Sequence, residues 1–398
     1  MPAQKQTEKG EVRVHTGTQE LAGTGFEQKL IAIRRQLHQY PEVAYEEYET
    51  TRSIRDWLTE AGIRLVELPL ETGVVAEVGG QNGGPVIALR ADIDALPIQE
   101  QTGLPYASAV VGNMHACGHD FHTAVILGAA FLLKQQEEQL PGTVRFLFQP
   151  AEEKGTGASL LIEKGALSNV TAIFGLHNKP DLAVGTVGIK PGALMASVDG
   201  FEIEVEGLGT HAAIPHAGID PIVAASQIVT ALQSIVSRNV SPLENAVVSV
   251  TTIHGGTTWN VIPDKVALGG TIRTFQEEVR RQIPGRLQAI IEGVAAAYGA
   301  KASVRWFKGP PSVQNDAALA RLAATTAERL GLQVVAPEPS PAGEDFAYYQ
   351  KHIPGLFVFV GTSGTNEWHH PAFTVDERAI APAAHYFANL AADALKGG

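Results

Sequence analysis

The chain has 398 residues, which leaves room for two or three domains of about 100–200 residues each. Its 44% hydrophobic and 18% charged content suits packed cores and argues against a disordered chain. A net charge of −12, with no block of Lys and Arg, argues against a nucleic-acid or anionic-membrane surface, and a lone cysteine, Cys117, excludes an intrachain disulfide.

Residues 1–25 are polar, rich in Gly, Thr, Gln and Lys, and lack the apolar stretch of a secretory signal, so they read as a disordered extension. No uninterrupted apolar run is long enough to span a bilayer, and the expectation is a soluble cytoplasmic protein. From Phe26 onward, Leu30, Ile33 and Leu37 recur at helical spacing until Pro41. Ile54, Leu58 and Ala61 mark a second helix with Gly62 just past its end. The runs Val74–Val78, Val86–Leu89, Val144–Phe148, Ala172–Leu176 and Leu356–Val360 have the length and apolarity of buried strands. Helical segments such as Thr123–Leu133 and Ala158–Glu163 lie between them. The alternation predicts an α/β domain with a largely parallel central sheet flanked by helices.

Between residues 198 and 307 the pattern changes. Phe201, Ile203 and Val205 alternate with Glu202, Glu204 and Glu206, the signature of a strand with one wet face. A helix through Ile222, Ala225, Val229, Leu232 and Val236 follows, then strands at Ala246–Ile253 and Lys265–Thr274. A helix through Leu287, Ile290, Ile291 and Val294 and a strand at Lys301–Phe307 complete the β-α-β-β-α-β order of a ferredoxin-like unit. Residues 198–307 therefore read as a small domain inserted into a larger one formed by residues 26–197 and 308–398. The larger domain resumes with helices near Leu319–Leu330 and Ala383–Leu395.

Polar clusters follow the predicted strands of the larger domain: Arg90–Pro97, Gln149–Glu153, His177 and His369–His370. Ligands of open α/β sheets bind outside the carboxyl ends of the strands, so these clusters have a physical reason to converge. A further cluster, His115–His122, offers one thiol and several imidazoles at the start of a helix. Thiolate, imidazole and carboxylate together are the donors of zinc-type sites. Each residue alone is more simply structural, Cys117 as a small buried hydrophobe and Glu152–Glu153 as a solvated loop. Their coincidence at the strand ends favours a metal site. The segment Gly207–Ala212 matches G-x-G-x-x-A, but Pro215 falls where the helix of a dinucleotide site should run.

The ordered motifs RADIDALP (Arg90–Pro97), NMHACGHD (Asn113–Asp120), QPAEE (Gln149–Glu153), GTHAAIPH (Gly209–His216), NVIP (Asn260–Pro263), GTIR (Gly270–Arg273), GEDF (Gly343–Phe346) and HHP (His369–Pro371), with His177, run from about Leu30 to the end of the chain. In this the chain resembles the M20 family of metallopeptidases and amidohydrolases, in the branch of aminoacylases, hippurate hydrolases and plant auxin-conjugate hydrolases. The resemblance implies a catalytic domain interrupted by a lid or dimerisation domain, and two divalent metal ions per chain, zinc foremost with manganese, cobalt or nickel as alternatives. It assigns Cys117, His119, Glu153, His177 and His369 to the metals, Glu152 to the general base and Asp94 to orienting a metal ligand. It gives Asn260 and Arg273 to the substrate carboxylate, and places His211 over the active site of a neighbouring subunit in a homodimer. Lys154 stands where this branch usually has Gly, and Thr210 where Gly is frequent. Neither departure removes a ligand, but Lys154 bears on substrate preference.

The implied reaction is hydrolysis of an N-acyl amino acid, of N-acetyl or N-benzoyl type, to a carboxylate and a free amino acid. A metal-activated water would attack, with Glu152 moving its proton. His211 would donate to the oxyanion, and Arg273 would grip the α-carboxylate. A dipeptidase or an N-acetyl-diaminopimelate deacetylase is the alternative within the family. A non-catalytic binding module predicts a lost ligand or a lost Glu152, and neither is lost. A third reading makes Cys117 a redox or nucleophilic thiol.

Overall fold

The computed structural model describes residues 25–81 and 83–397. The extension read at residues 1–25 lies outside them, apart from Gly25, which opens the first helix, Gly25–Gln39. That helix buries Leu30, Ile33 and Leu37, as their spacing predicts. The second helix, Tyr48–Glu60, buries Ile54 and Leu58 and ends before Gly62, whose φ of 69° reverses the chain.

The larger sheet has eight strands, in the order Arg64–Leu65, Val74–Gly79, Thr143–Gln149, Val86–Asp92, Val170–Lys179, Gly355–Gly361, Thr186–Gly188 and Gln333–Val335. The four strands from Thr143–Gln149 to Gly355–Gly361 run parallel, and antiparallel pairings flank them. All five apolar runs expected to be strands are strands, each extended by one to three residues at its ends. Helix His119–Gln135 is buried along almost its whole length, in one core with the first helix and Ile380–Lys396. This core covers one face of the sheet, and a second, around Leu147, Ile173, Phe346 and Phe357, covers the other.

The chain leaves the larger sheet and builds a four-stranded antiparallel sheet in the order Ala246–Gly255, Lys265–Thr274, Ser197–Glu206 and Lys301–Lys308. Phe201, Ile203 and Val205 face a core of their own beneath helices Pro221–Ser234 and Glu277–Ala297, while Glu202, Glu204 and Glu206 are exposed. Helix Pro221–Ser234 starts on the Asp220 side chain, which accepts from the N–H groups of Ile222 and Val223. Its buried stripe differs from the expected one. Ala224, Ala225, Ile228 and Leu232 are buried, while Ile222 is 41% exposed. Small alanines let the helix sit close to the sheet, and that choice turns the larger side chains outward. Among the described residues no helix is long and apolar enough to cross a membrane.

Candidate metal centre

The parallel strands deliver their polar ends to one place. Asp92 ends Val86–Asp92, the turn Pro150–Glu153 follows Thr143–Gln149, and His177 lies near the end of Val170–Lys179. Cys117 precedes helix His119–Gln135, held by Gly118 in a left-handed conformation (φ 82°). A Cβ at Gly118 would overlap Asn178 Nδ2, so only glycine fits there. Two other site residues adopt left-handed backbone without being glycine, Ala151 (φ 53°) and His369 (φ 65°). Such strain costs about 1–3 kcal/mol per residue and persists where the surroundings fix it. The His369 N–H is held by the Ala116 carbonyl at 2.8 Å.

Two triads share one thiol. Potential donor atoms of Cys117, His119 and His177 lie within 4.8 Å of one another, and so do those of Cys117, Glu153 and His369. Neighbours fix which imidazole nitrogen faces inward. His119 Nδ1 donates to Asp94 Oδ1 at 3.1 Å and His177 Nδ1 donates to the Asn178 carbonyl at 2.9 Å, so both Nε2 atoms face inward, that of His177 lying 3.4 Å from Cys117 Sγ. His119 Nε2 and Glu153 Oε1 are buried without a hydrogen bond among the described residues, Glu153 Oε1 lying 3.4 Å from His369 Nε2. Unpaired buried polar atoms are costly, and a cation between them removes the cost. His122, by contrast, is satisfied at both nitrogens. Nδ1 meets Asp92 Oδ1 at 2.6 Å, and Nε2 accepts from the Asn178 N–H at 2.9 Å. It props the site and has no lone pair left for an ion.

The electrostatics point the same way. Asp92, Glu152, Glu344 and Asp345 crowd around the buried guanidinium of Arg90, with Glu153 beside Glu152. Arg90 donates to Gln149 (2.9 Å), Asp92 (2.6 Å) and Asp345 (2.8 Å), and lies 3.0 Å from Glu344. Burial and the neighbouring Glu344 and Glu153 push the Glu152 carboxyl well above the usual range. Burial raises Glu344 to about 8 and Asp345 to about 6 despite Arg90. Burial, with Glu153, Glu152 and Asp92, also pushes the Cys117 thiol well up. Burial opposes the His119 imidazolium, but Asp92 and Asp94 outweigh it and raise its pKa to about 10. This is an excess of negative charge short of cations. One thiolate, three imidazoles and a carboxylate fit two borderline divalent ions, with Cys117 common to both.

The site opens into a cleft of about 840 Å³ between the two sheets. Cys117, Glu152, His177 and Trp368 line the floor, and Arg273 and Phe307 lie on the wall formed by the smaller sheet. The Trp368 ring lies 4.4 Å from that of His177, centroid to centroid, and Trp368 Nε1 donates to the Asn178 carbonyl at 3.1 Å. Arg273 is half-buried and donates to Thr271 Oγ1 and the Ile272 carbonyl. Among the described residues it has no carboxylate partner within 4.0 Å, so its charge is available to a ligand.

The ten expected residues thus fall into two groups, around the cleft and beyond it. Cys117, His119, Glu152, Glu153, His177, His369 and Asp94 converge, and Arg273 faces them across the cleft. His211 and Asn260 do not line it. His211 lies exposed on the two-residue strand Thr210–His211, opposite Val261, and the adjacent Ala212 N–H donates to the Asn260 carbonyl at 3.0 Å. Arg90, Asp92, Glu344, Asp345 and Trp368 had no assigned role. Four of them stand inside the RADIDALP and GEDF motifs, and the acidic doublet in GEDF was the available signal.

The profile of Peptidase family M20/M25/M40 matches residues 88–393. An N-acetylcysteine deacetylase of Bacillus subtilis is 58% identical over 377 residues, covering 94% of this chain and 99% of that protein. IAA-amino acid hydrolase ILR1-like 4 of Arabidopsis thaliana is 41% identical, covering 91% of this chain and 84% of that protein. Among solved structures, a dinuclear metal-binding peptidase of the M20 family from Bacillus subtilis superposes with a TM-score of 0.86 at 55% identity, covering 93% and 99% of the two chains. Fold, site geometry and these matches agree, and the chain belongs to Peptidase family M20/M25/M40.

Proposed function

We propose that this hydrolase removes the acyl group from N-acyl amino acids, with N-acetyl-L-cysteine the foremost substrate. The observation that supports it best is the pair of triads sharing Cys117 opposite the unpaired Arg273. Cys117, His119 and His177 would hold one divalent ion, and Cys117, Glu153 and His369 the other. Zinc suits the donors best, with manganese, cobalt and nickel as alternatives. When bound, the ions polarise the scissile carbonyl and lower the pKa of the attacking water.

The protein's own groups do the rest. Glu152, on the cleft floor, takes the proton of the water and returns it to the leaving nitrogen. Asp94 holds two pieces of the site together, since Oδ1 accepts from His119 and Oδ2 accepts from the Glu153 N–H at 3.0 Å. Arg273 grips the α-carboxylate, which makes an amino acid the favoured leaving side. Residues 26–197 and 308–398 form the catalytic domain, and residues 198–307 serve as lid and dimerisation domain. In a homodimer, His211 and Asn260 of one chain would reach the cleft of the partner. Their position outside their own cleft supports that arrangement, as do the exposed Leu208, Val261 and Trp259 beside them. A cytoplasmic setting accords with the single thiol.

The test is a set of hydrolysis rates for N-acetyl, N-benzoyl and N-carbamoyl amino acids, dipeptides, and N-acetyl-L-cysteine with its carboxylate converted to an amide, each with added zinc, manganese or cobalt. The expected result is that N-acetyl-L-cysteine outperforms its amide and that Arg273→Ala shrinks the preference. Turnover of dipeptides alone would replace this reading with the dipeptidase one.

A further inference from the structure

Glu152 and Glu153 sit on a turn whose entrance is strained, because Ala151 adopts φ 53° immediately before them. A residue far away in sequence holds that conformation. The Ala151 N–H donates to Glu47 Oε1 at 2.9 Å, inside the protein, where both residues are fully buried. Glu47 stands at the N-cap of helix Tyr48–Glu60, yet its side chain makes no capping bond. Glu42 does that work instead, its carboxylate accepting from the N–H groups of Glu49 at 3.1 Å and Thr50 at 2.8 Å. The Glu47 carboxyl is thereby free to reach across to the turn. Its second oxygen, Oε2, makes no hydrogen bond among the described residues, while the Thr72 side chain neighbours the carboxylate. Packing alone would favour an apolar side chain at such a position, because a buried polar atom without a partner is unfavourable.

The far side of the turn is pinned in the same manner, with the Glu153 N–H on Asp94 Oδ2 at 3.0 Å. Two buried carboxyls from different elements therefore fix the backbone N–H groups on either side of Glu152. We propose that Glu47 is a positioning residue for the reaction, holding the left-handed Ala151 so that Glu152 and Glu153 project into the cleft. The proposal rests on the roles given above to Glu152 and Glu153, and Glu152→Gln in the same assay, with its metal content, tests the Glu152 role separately.

The experiment compares Glu47→Ala, Glu47→Asp and Glu47→Gln in the full chain. It measures kcat and KM for N-acetyl-L-cysteine in the metal-loaded enzyme, cobalt(II) affinity of the metal-free protein by visible absorption, and folding by circular dichroism. Outer partners of metal ligands are typically worth about 10–100-fold in affinity or activity. Glu47→Ala and Glu47→Asp, the latter one methylene too short, should lose about that much in kcat and in affinity for one cobalt ion, with KM little changed. Glu47→Gln keeps an acceptor oxygen in the same place and should stay near wild type in both. If Glu47→Ala does not fold, the Asp and Gln pair decides. A folded Glu47→Asp with wild-type kcat and cobalt affinity, or a Glu47→Gln as impaired as Glu47→Asp, would overturn the proposal.

Discussion

A carboxylate next to a metal ligand can be a second ligand or a base, and the two roles part on substitution. Glu152→Gln preserves size and one acceptor oxygen but cannot take a proton. Its kcat should fall by roughly 10²–10⁴-fold while the metal content stays at the wild-type level. Loss of metal along with activity would instead make Glu152 a ligand. A second charge network joins Glu100 to His38 and, through it, to Asp120, and contributes to stability in acid. Burial opposes ionisation of Glu100, but His38, Thr102 and the Ser108 N–H prevail and lower its pKa to about 2. A depressed folded-state pKa stabilises the protein above the unfolded value of about 4.3, and the contribution fades as pH falls toward 2. The melting temperature of Glu100→Gln should therefore lie below wild type at pH 6 and converge on it as pH drops below 4. A gap that stays constant with pH would show that Glu100 acts through packing. The residues of the site that were legible in sequence were those whose chemistry is rare, such as the lone thiol and the paired histidines. The Arg90 hub was not legible, because its partners Asp92, Gln149 and Asp345 come together only when two strand ends meet the start of the short helix Asp345–Lys351.

At the level of elements, glycine positions separate close packing from open space. Gly157 opens helix Gly157–Glu163 just after the turn that carries Glu152 and Glu153, and a Cβ there would overlap the Pro150 carbonyl oxygen. Gly157→Ala should destabilise by about 1–3 kcal/mol and lower activity, because the turn must move. Gly293, within helix Glu277–Ala297, has nothing within 4 Å of a Cβ. Gly293→Ala should stabilise by about 0.4–1 kcal/mol in urea unfolding with no change in activity. Equal effects from both would show that the close approach at Gly157 is absent in solution. The long elements were legible because their signals are long: five apolar runs for the larger sheet and strict alternation from Phe201 to Glu206. Strands such as Thr186–Gly188 and Gln333–Val335 are too short to show a period and exist because a neighbouring strand edge is available. The face of helix Pro221–Ser234 was misread since alanines at a close helix–sheet contact carry little weight in a pattern of large apolar residues.

For the whole molecule, the question is whether one chain makes a complete site. If His211 serves the partner's cleft, His211→Ala and Glu152→Gln chains should each be nearly inactive, and mixing should restore part of the wild-type rate as subunits exchange. Background activity after demonstrated exchange would confine His211 to its own chain or remove it from the reaction. Hydrolysis, as proposed above, depends on two ions held around Cys117. This dependence is tested most directly by stripping the protein of metal, verifying this by elemental analysis, and titrating back one divalent ion while following release of free cysteine from N-acetyl-L-cysteine. No turnover is expected without metal, and a plateau is expected at about two equivalents per chain. Turnover by verified metal-free protein would contradict the dependence.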